Sequence, residues 1–365
     1  MNTKFLKPKP LPNTSHKNKT NLQYYPLINW LHYHRRATIH PVLACILTMI
    51  WSVIGGFAYG FVSFIPFPNT ELGHGWLFYT GPLLQFLAQL LLLWLWWRGW
   101  LWLRYKKQHT TLPAQKMNHQ GVPRSLSDHA STNTYLDIPR IHFFQRIGIS
   151  PLARRPHQRW RLFCLGAALG VVSVSIPLWL LLFVYGTDAI TLSVNTLSAS
   201  WWLLLVFSLA LFLFQSGVEE VINRGFLLPE IASRWGVTAG VLLNSGLFVL
   251  FHLSNPDLGW VPLLNIFFAG VLFSLLYLRF NSLWVSIGFH GLWNWTQASF
   301  YGFAVSGITM PVSILQAAVN PNQPDWLTGG SFGLEGSVLT CFVLLGVIAW
   351  LILSIRRRRQ AIVSA

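Results

Sequence analysis

Two adjacent carboxylates interrupt an otherwise apolar stretch of this chain, in Gln215-Ser-Gly-Val-Glu219-Glu220-Val-Ile-Asn223-Arg224-Gly-Phe-Leu-Leu-Pro229. Two later apolar stretches carry polar pairs of their own, Phe248-Val-Leu-Phe-His252 and His290-Gly-Leu-Trp-Asn294. Glutamate and histidine are side chains suited to moving protons, and histidine and asparagine can donate hydrogen bonds to a developing negative charge. Together they hold the parts needed to hydrolyse an amide: a base for water, donors for the oxyanion and a proton for the leaving amine. Ionisable groups inside an apolar span are costly, so they face a protein interior and are functional candidates by default.

Helical spacing separates the two glutamates. Adjacent residues on a helix point about 100° apart, so Glu219 and Glu220 face different neighbours. Glu220 and Arg224 stand at i and i+4 with the acid first, the favoured order for a helical ion pair. Glu219 shares its face with Asn223 and is left to face a site. Asn244, Phe248 and His252 stack on one face at i, i+4, i+8, and His290 and Asn294 form a second i, i+4 pair. Each short pattern also has a structural reading: a pair of packing carboxylates, an interfacial histidine, a helix-to-helix hydrogen bond.

The elements that must position these groups are membrane spans. The 365 residues are 53% apolar and only 10% charged, and a span of the hydrocarbon core needs about 20 apolar residues. Eight stretches qualify, near Pro41–Ile65, Trp76–Leu103, Phe163–Gly186, Ser200–Leu228, Val237–Leu253, Trp260–Leu278, Leu283–Ala304 and Ser337–Ile355. The fold class expected is an all-α polytopic membrane protein of about eight helices enclosing an intramembrane polar cavity.

The basic residues divide the connections into two sets. All 26 Lys and Arg lie in the N-terminal tail, in 98–161, at Arg224, Arg234 and Arg279, and in Arg356 to Arg359. The alternate connections hold Glu71, Asp188, Asp257, Asp325 and Glu335 and no basic residue. The excess of positive charge marks the cytoplasmic side, so both termini are expected there, in a bacterial-type plasma membrane. The formal charge of +16 is dispersed over membrane-flanking segments with no soluble module to shape a groove, which argues against a nucleic-acid partner and for contact with anionic membrane lipid. A run of Trp94, Trp96, Trp97, Trp100 and Trp102 beside Arg98 and Arg104 reads as an aromatic belt.

Depth decides whether the polar groups can meet. With span four ending near Ile231 and span five starting near Val237, Glu219 lies ~18 Å and His252 ~22 Å from the cytoplasmic boundary at ~1.5 Å per residue. His290 and Asn294, counted from Leu283, come to ~10 Å and ~16 Å. Tilt of ~20° brings all four into one zone.

The series Glu-Glu-x-x-x-Arg, Phe-x-x-x-His, His-x-x-x-Asn, in that order within successive spans, resembles the CAAX-protease and bacteriocin-processing family, also called the ABI family, which includes the Ras-converting CAAX endopeptidase. The likeness covers about Trp201 to Trp295. It implies an α-helical membrane fold of about eight spans, Glu219 and His252 activating water, His290 and Asn294 stabilising the oxyanion, and Glu220 with Arg224 as a supporting pair. The long cytoplasmic loop, basic tail and eighth span depart from the family pattern. The substrate implied is a lipid-modified or short hydrophobic peptide, entering from the bilayer or the cytoplasmic side.

No cofactor is expected. A zinc metallopeptidase on Glu219, His252 and His290 is the alternative chemistry, although no His-Glu-x-x-His pair is present. A non-catalytic immunity or peptide-binding scaffold using the same polar cavity is the alternative of a different class. A proton-coupled transporter is disfavoured because the spans lack paired Gly/Pro breaks.

The remaining segments follow from composition. Residues 1–40 form a basic flexible tail and 41–104 carry spans one and two. Residues 105–162 form a basic loop whose Ile141 to Ile149 stretch suits an interfacial helix. Span three and an outer loop occupy 163–199, the polar-lined core with spans four to seven 200–304, an outer loop that caps the outer face or is disordered 305–336, and the last span with its basic tail 337–365. Cys45, Cys164 and Cys341 have no metal-ligand spacing and read as small buried hydrophobes.

Overall fold

The computed structural model describes residues 40–62, 80–96, 98–99, 156–196 and 198–363. The flexible tail, the basic loop and the interfacial helix expected at Ile141 to Ile149 lie outside them. The described chain is predominantly helical. In order it forms α1 (Pro41–Val62), α2 (Thr80–Trp96), α3 (Pro156–Tyr185), strand β1 (Ile190–Val194), α4 (Ala199–Glu220), a π-helical segment (Val221–Leu227), α5 (Leu228–Trp235), α6 (Val237–Leu250), α7 (Trp260–Phe280), α8 (Leu283–Trp295), a second π-helical segment (Thr296–Phe300), β2 (Leu315–Val319), a single turn α9 (Asp325–Thr328) and α10 (Val338–Val363).

Among the described residues four helices are long and apolar enough to cross a membrane: 157–188, 199–235, 260–280 and 338–358. Shorter apolar helices lie at 41–54, 80–96 and 237–250, and α8 falls within the seventh expected span. The chain is an all-α integral membrane protein. Phe183 is 88% exposed and Val206 and Phe342 each 67%, as suits side chains that meet lipid tails.

Local chemistry sets the helix ends. Ser198 and Ser282 cap α4 and α8 by accepting from the backbone N–H of Trp201 and Trp284. Asn281, left-handed at φ 49°, ends α7 and turns the chain into α8 within two residues, a conformation asparagine tolerates better than most. Span four does not stop at Leu228: α4, the π-helical segment and α5 run on as one helix to Trp235, where Gly236 at φ 91° breaks it. Span five is shorter than expected, because α6 ends at Leu250 and residues 251–257 form turns.

The helix that carries His290 and Asn294 is held by close backbone approach. A Cβ on Gly166 would lie 2.0 Å from the carbonyl oxygen of Val285, one on Gly170 2.3 Å from that of Phe289, and one on Gly288 2.3 Å from that of Phe163. Glycines at these three positions let α3 and α8 touch along their backbones, the way small residues spaced by four pack membrane helices.

Among the described residues, basic side chains gather at one end of the bundle. Arg279 Nε donates to Ser354 Oγ at 2.6 Å, Arg358 donates to the carbonyl of Arg279, and the His40 ring packs edge-on to Trp235. Arg224 is the exception: it is fully buried and belongs to the interior. Of the expected aromatic belt, Trp94 lies outward beneath Arg98, whereas Trp96 turns inward onto Trp51 and Phe226. Cys341 is buried, but Cys164 is exposed on α3 and Cys45 half-buried.

The opposite end is folded over. β1 and β2 pair antiparallel, Ile190 opposite Val319 through Val194 opposite Leu315. Residues 301–337 pack beside them through Asn265 to the carbonyls of Glu335 and Ser337, Gln297 to Ala304, and Tyr301 to Ser175. The segment expected as an outer loop, residues 305–336, is therefore an ordered cap over this end.

Candidate active site

A cavity of about 530 Å³ opens among α4, α6, α7 and α8, with α1 and α2 on one flank. Glu219, Asn223, Phe248, His252, His290 and Asn294 all line it. Helical periodicity thus brings six of the nine singled-out residues to one wall. Glu220 and Arg224 lie behind that wall, both fully buried. Asn244 stands apart: its amide donates to Ser274 Oγ at 3.1 Å and ties α6 to α7, so the cavity-lining role expected for it gives way to a helix-to-helix hydrogen bond.

The two glutamates have different surroundings. Glu220 Oε1 accepts from Arg224 at 2.9 Å and from His290 Nδ1 at 3.2 Å. Arg224 also donates to the carbonyl of Gly270, and its guanidinium lies 4.7 Å from the Phe248 ring centroid and 5.1 Å from that of Phe273. Both partners bind Oε1; Glu220 Oε2 is buried without a hydrogen-bond partner among the described residues. Glu219 instead points into the cavity; Gln215 donates to its Oε1 at 3.2 Å, and its Oε2 is buried without a hydrogen-bond partner among the described residues.

His290 bridges the pair. Its Nδ1 meets Glu220, its Nε2 is 3.9 Å from Glu219 Oε2, and its ring stacks on Phe273 at 4.7 Å. With a proton on Nδ1 for Glu220, Nε2 accepts when the ring is neutral and donates when it is an imidazolium. His252 is fixed from the other side. Its Nδ1 lies 2.7 Å from the carbonyl of Phe248; a carbonyl can only accept, so the proton sits on Nδ1 and Nε2 is left to accept or carry one. Phe248 touches both rings, at 4.7 Å from His252 and 6.1 Å from His290.

Both reactive helices loosen beside these residues. The π-helical segment 221–227 follows Glu219 and Glu220 directly, and the segment 296–300 begins two residues after Asn294. Such bulges recur at functional sites because an extra residue per turn re-aims side chains. Asn223 uses its amide to cap the carbonyl of Glu219 across the first bulge.

Sequence reading missed Glu335 as a cavity residue and used it only as an acidic marker of the outer connections. It lies on the cavity wall. Its carboxylate accepts from Trp293 Nε1 at 3.2 Å and from both the backbone N–H and Oγ of Ser306 at 2.9 Å. Burial pushes the Glu335 carboxyl above the usual carboxylate range, while the Ser306 hydrogen bonds and attraction to His252 and His290 pull it down. The available signal was its place as the last acid before span eight. Gln215, which holds Glu219, was also passed over although it sits one turn before it.

Among the described residues no group of three or more His, Cys, Asp or Glu side chains converges in metal-ligand geometry. The Nδ1 contacts of His290 with Glu220 and of His252 with a carbonyl leave both Nε2 atoms facing other partners, an arrangement compatible with acid–base work or with metal ligation.

Residues 200–296 match the family described as type II CAAX prenyl endopeptidase Rce1-like. That stretch begins with α4 and ends with α8, and so contains Glu219, His252, His290 and Asn294. The match supports the resemblance drawn from the three motifs over this stretch, about a quarter of the chain. No curated protein and no solved structure matches the chain.

Proposed function

We propose that this protein is an intramembrane endopeptidase that cleaves a hydrophobic or lipid-modified peptide, with Glu219 and His252 activating water. The observation that carries the reading is the contrast between the two glutamates. Glu220 is fully buried with its Oε1 held by Arg224 and His290, whereas Glu219 lines a cavity it shares with His252 and, among the described residues, has no cation other than His290 beside it.

In this scheme a water held between Glu219 Oε2 and His252 Nε2 loses a proton as its oxygen attacks the peptide carbonyl. The proton then passes to the leaving amine. Asn294, and His290 as an imidazolium, donate to the oxyanion; a preorganised donor in a dry site contributes roughly 10²–10³ in rate. Glu220 orients His290 through Nδ1, as a carboxylate commonly orients a working histidine. The Phe248 and Phe273 rings exclude water from the ion pair beneath.

The test is cleavage of a panel of fluorogenic hydrophobic peptides, with and without a prenyl or acyl chain, by detergent-purified protein in the presence and absence of a strong chelator. Chelator-resistant turnover is expected. Turnover that disappears on chelation and returns with stoichiometric zinc would replace the mechanism with the metallopeptidase one. No turnover on any member would favour a binding scaffold.

A further inference from the structure

The helix α2 has two unlike faces. Leu84, Leu87, Leu91 and Leu95 are each more than 40% exposed, as suits side chains set against lipid tails. Pro82, Gln85, Phe86 and Gln89 line the cavity instead, Leu93 is fully buried, and Trp96 meets Trp51 and Phe226. Spacings of three and four residues put these inward side chains on one stripe. Phe86 and Leu93 share a core cluster with Val218, Val221, Ile222 and Phe226. The stripe therefore packs against the helix that carries Glu219, and both glutamines stand on the same cavity as that carboxylate.

Glutamine is a costly side chain to keep at such a place. Its carboxamide has two N–H donors and an accepting oxygen, and taking it out of water without partners is unfavourable. Gln89 is only 5% exposed, and neither Gln85 nor Gln89 has a side-chain hydrogen bond to any described residue. The Gln89 amide is not sealed inside the protein either, so the exposure it keeps is toward the cavity it lines. Other amides of the wall are occupied: Gln215 holds Glu219, and Asn265 holds two carbonyls of the cap. The α2 pair alone has a donor and an acceptor to spare on each of two successive turns.

The spacing of that pair matches a peptide main chain. One helical turn separates the two amides by ~6 Å at ~1.5 Å per residue. An extended peptide presents the N–H and C=O of every second residue along one edge, ~6.6 Å apart at ~3.3 Å per residue. A carboxamide offers a donor and an acceptor side by side, the complement of one such group. We infer that Gln85 and Gln89 form a two-rung ladder that binds the main chain of an extended peptide at residues two apart, whatever its side chains. The rungs lie outside the matched stretch 200–296, so α2 supplies substrate binding to a reaction centre built by other helices. The inference rests on the peptidase reading for the peptide nature of the occupant.

Binding is measured without turnover, by fluorescence anisotropy of labelled hydrophobic peptides from the cleavage panel on the Glu219→Gln protein. Each peptide is made as a series in which one backbone N–H at a time is replaced by an ester oxygen, which removes a donor without adding bulk. The inference expects esters at two positions, two residues apart, to weaken binding about three- to tenfold. Gln85→Leu should abolish the penalty at one of them and Gln89→Leu at the other, each weakening the all-amide peptide by a similar factor. Gln89→Met should repeat the effect of Gln89→Leu, and thermal unfolding of each variant separates lost binding from lost folding. Unchanged affinity in both folded glutamine variants, or an ester pattern that they leave intact, overturns the inference and leaves the peptidase reading standing. If no peptide binds either the Glu219→Gln or the wild-type protein, the peptidase reading falls and the ladder falls with it.

Discussion

Two sides of the cavity are built in opposite ways. On the Glu219 side, Glu219, Glu220 and Arg224 lie within six residues on one helix and are joined by His290 from a second. On the Glu335 side, Glu335 holds Ser306 across 29 positions, and Asn265 holds the Glu335 carbonyl across 70. The Glu219 side is a compact, dehydrated charge network whose parts are set by helical periodicity. The Glu335 side is irregular backbone that lines the same cavity. On the proposed reading the chemistry falls to the side that carries Glu219, and the variants below probe the difference.

The sharpest way to break that division is to remove the candidate base. Glu219→Gln and His252→Ala should each lower turnover about 10²–10⁴-fold, the usual worth of a positioned acid or base, with little change in thermal stability. Asn294→Ala should cost roughly 10²–10³-fold if its amide meets the oxyanion. Steady-state kinetics on the best peptide separates these from losses of binding.

Arg224 tests the buried part of that network. Arg224→Met leaves Glu220 buried without its cation, which should destabilise the protein by about 3–5 kcal/mol. Pairing it with Glu220→Gln should recover part of that loss, a coupling that thermal unfolding of the four proteins measures directly. Gly288→Ala drives a methyl group into the backbone of α3 and should cost about 1–3 kcal/mol by overpacking.

Smallest is the pH effect at Glu335. The Glu335 carboxyl is raised in the folded protein, so there the native state holds its proton more tightly than the unfolded chain does. Its contribution to stability is full below the usual carboxylate value and is lost as pH rises through the raised one, by up to about 1.4 kcal/mol per pH unit. Glu335→Gln should flatten that slope.

The same division explains what the sequence made legible. Apolar length located the four helices long enough to cross a membrane and the shorter apolar ones, and i, i+4 spacing separated Glu219 from Glu220 before any contact was known. The depth argument set Glu219, His252, His290 and Asn294 in one zone, and all four line one cavity. Periodicity could not foresee what depends on distant partners. The turns at 251–257 exist because α6 stops early, the strand pair joins residues more than 120 positions apart, and Glu335 gains its place only once residues 301–337 fold back. Asn244 shows the limit within a helix as well: its face was read correctly, but Ser274 on α7 claims its amide.

The most direct test of the account compares the two adjacent glutamates. Glu219→Gln and Glu220→Gln are purified in parallel, and peptide turnover and thermal unfolding are measured on each. The account predicts that Glu219→Gln unfolds with the wild type yet turns over at least about a hundredfold more slowly, while Glu220→Gln unfolds at lower temperature. Full turnover by a folded Glu219→Gln protein would contradict it.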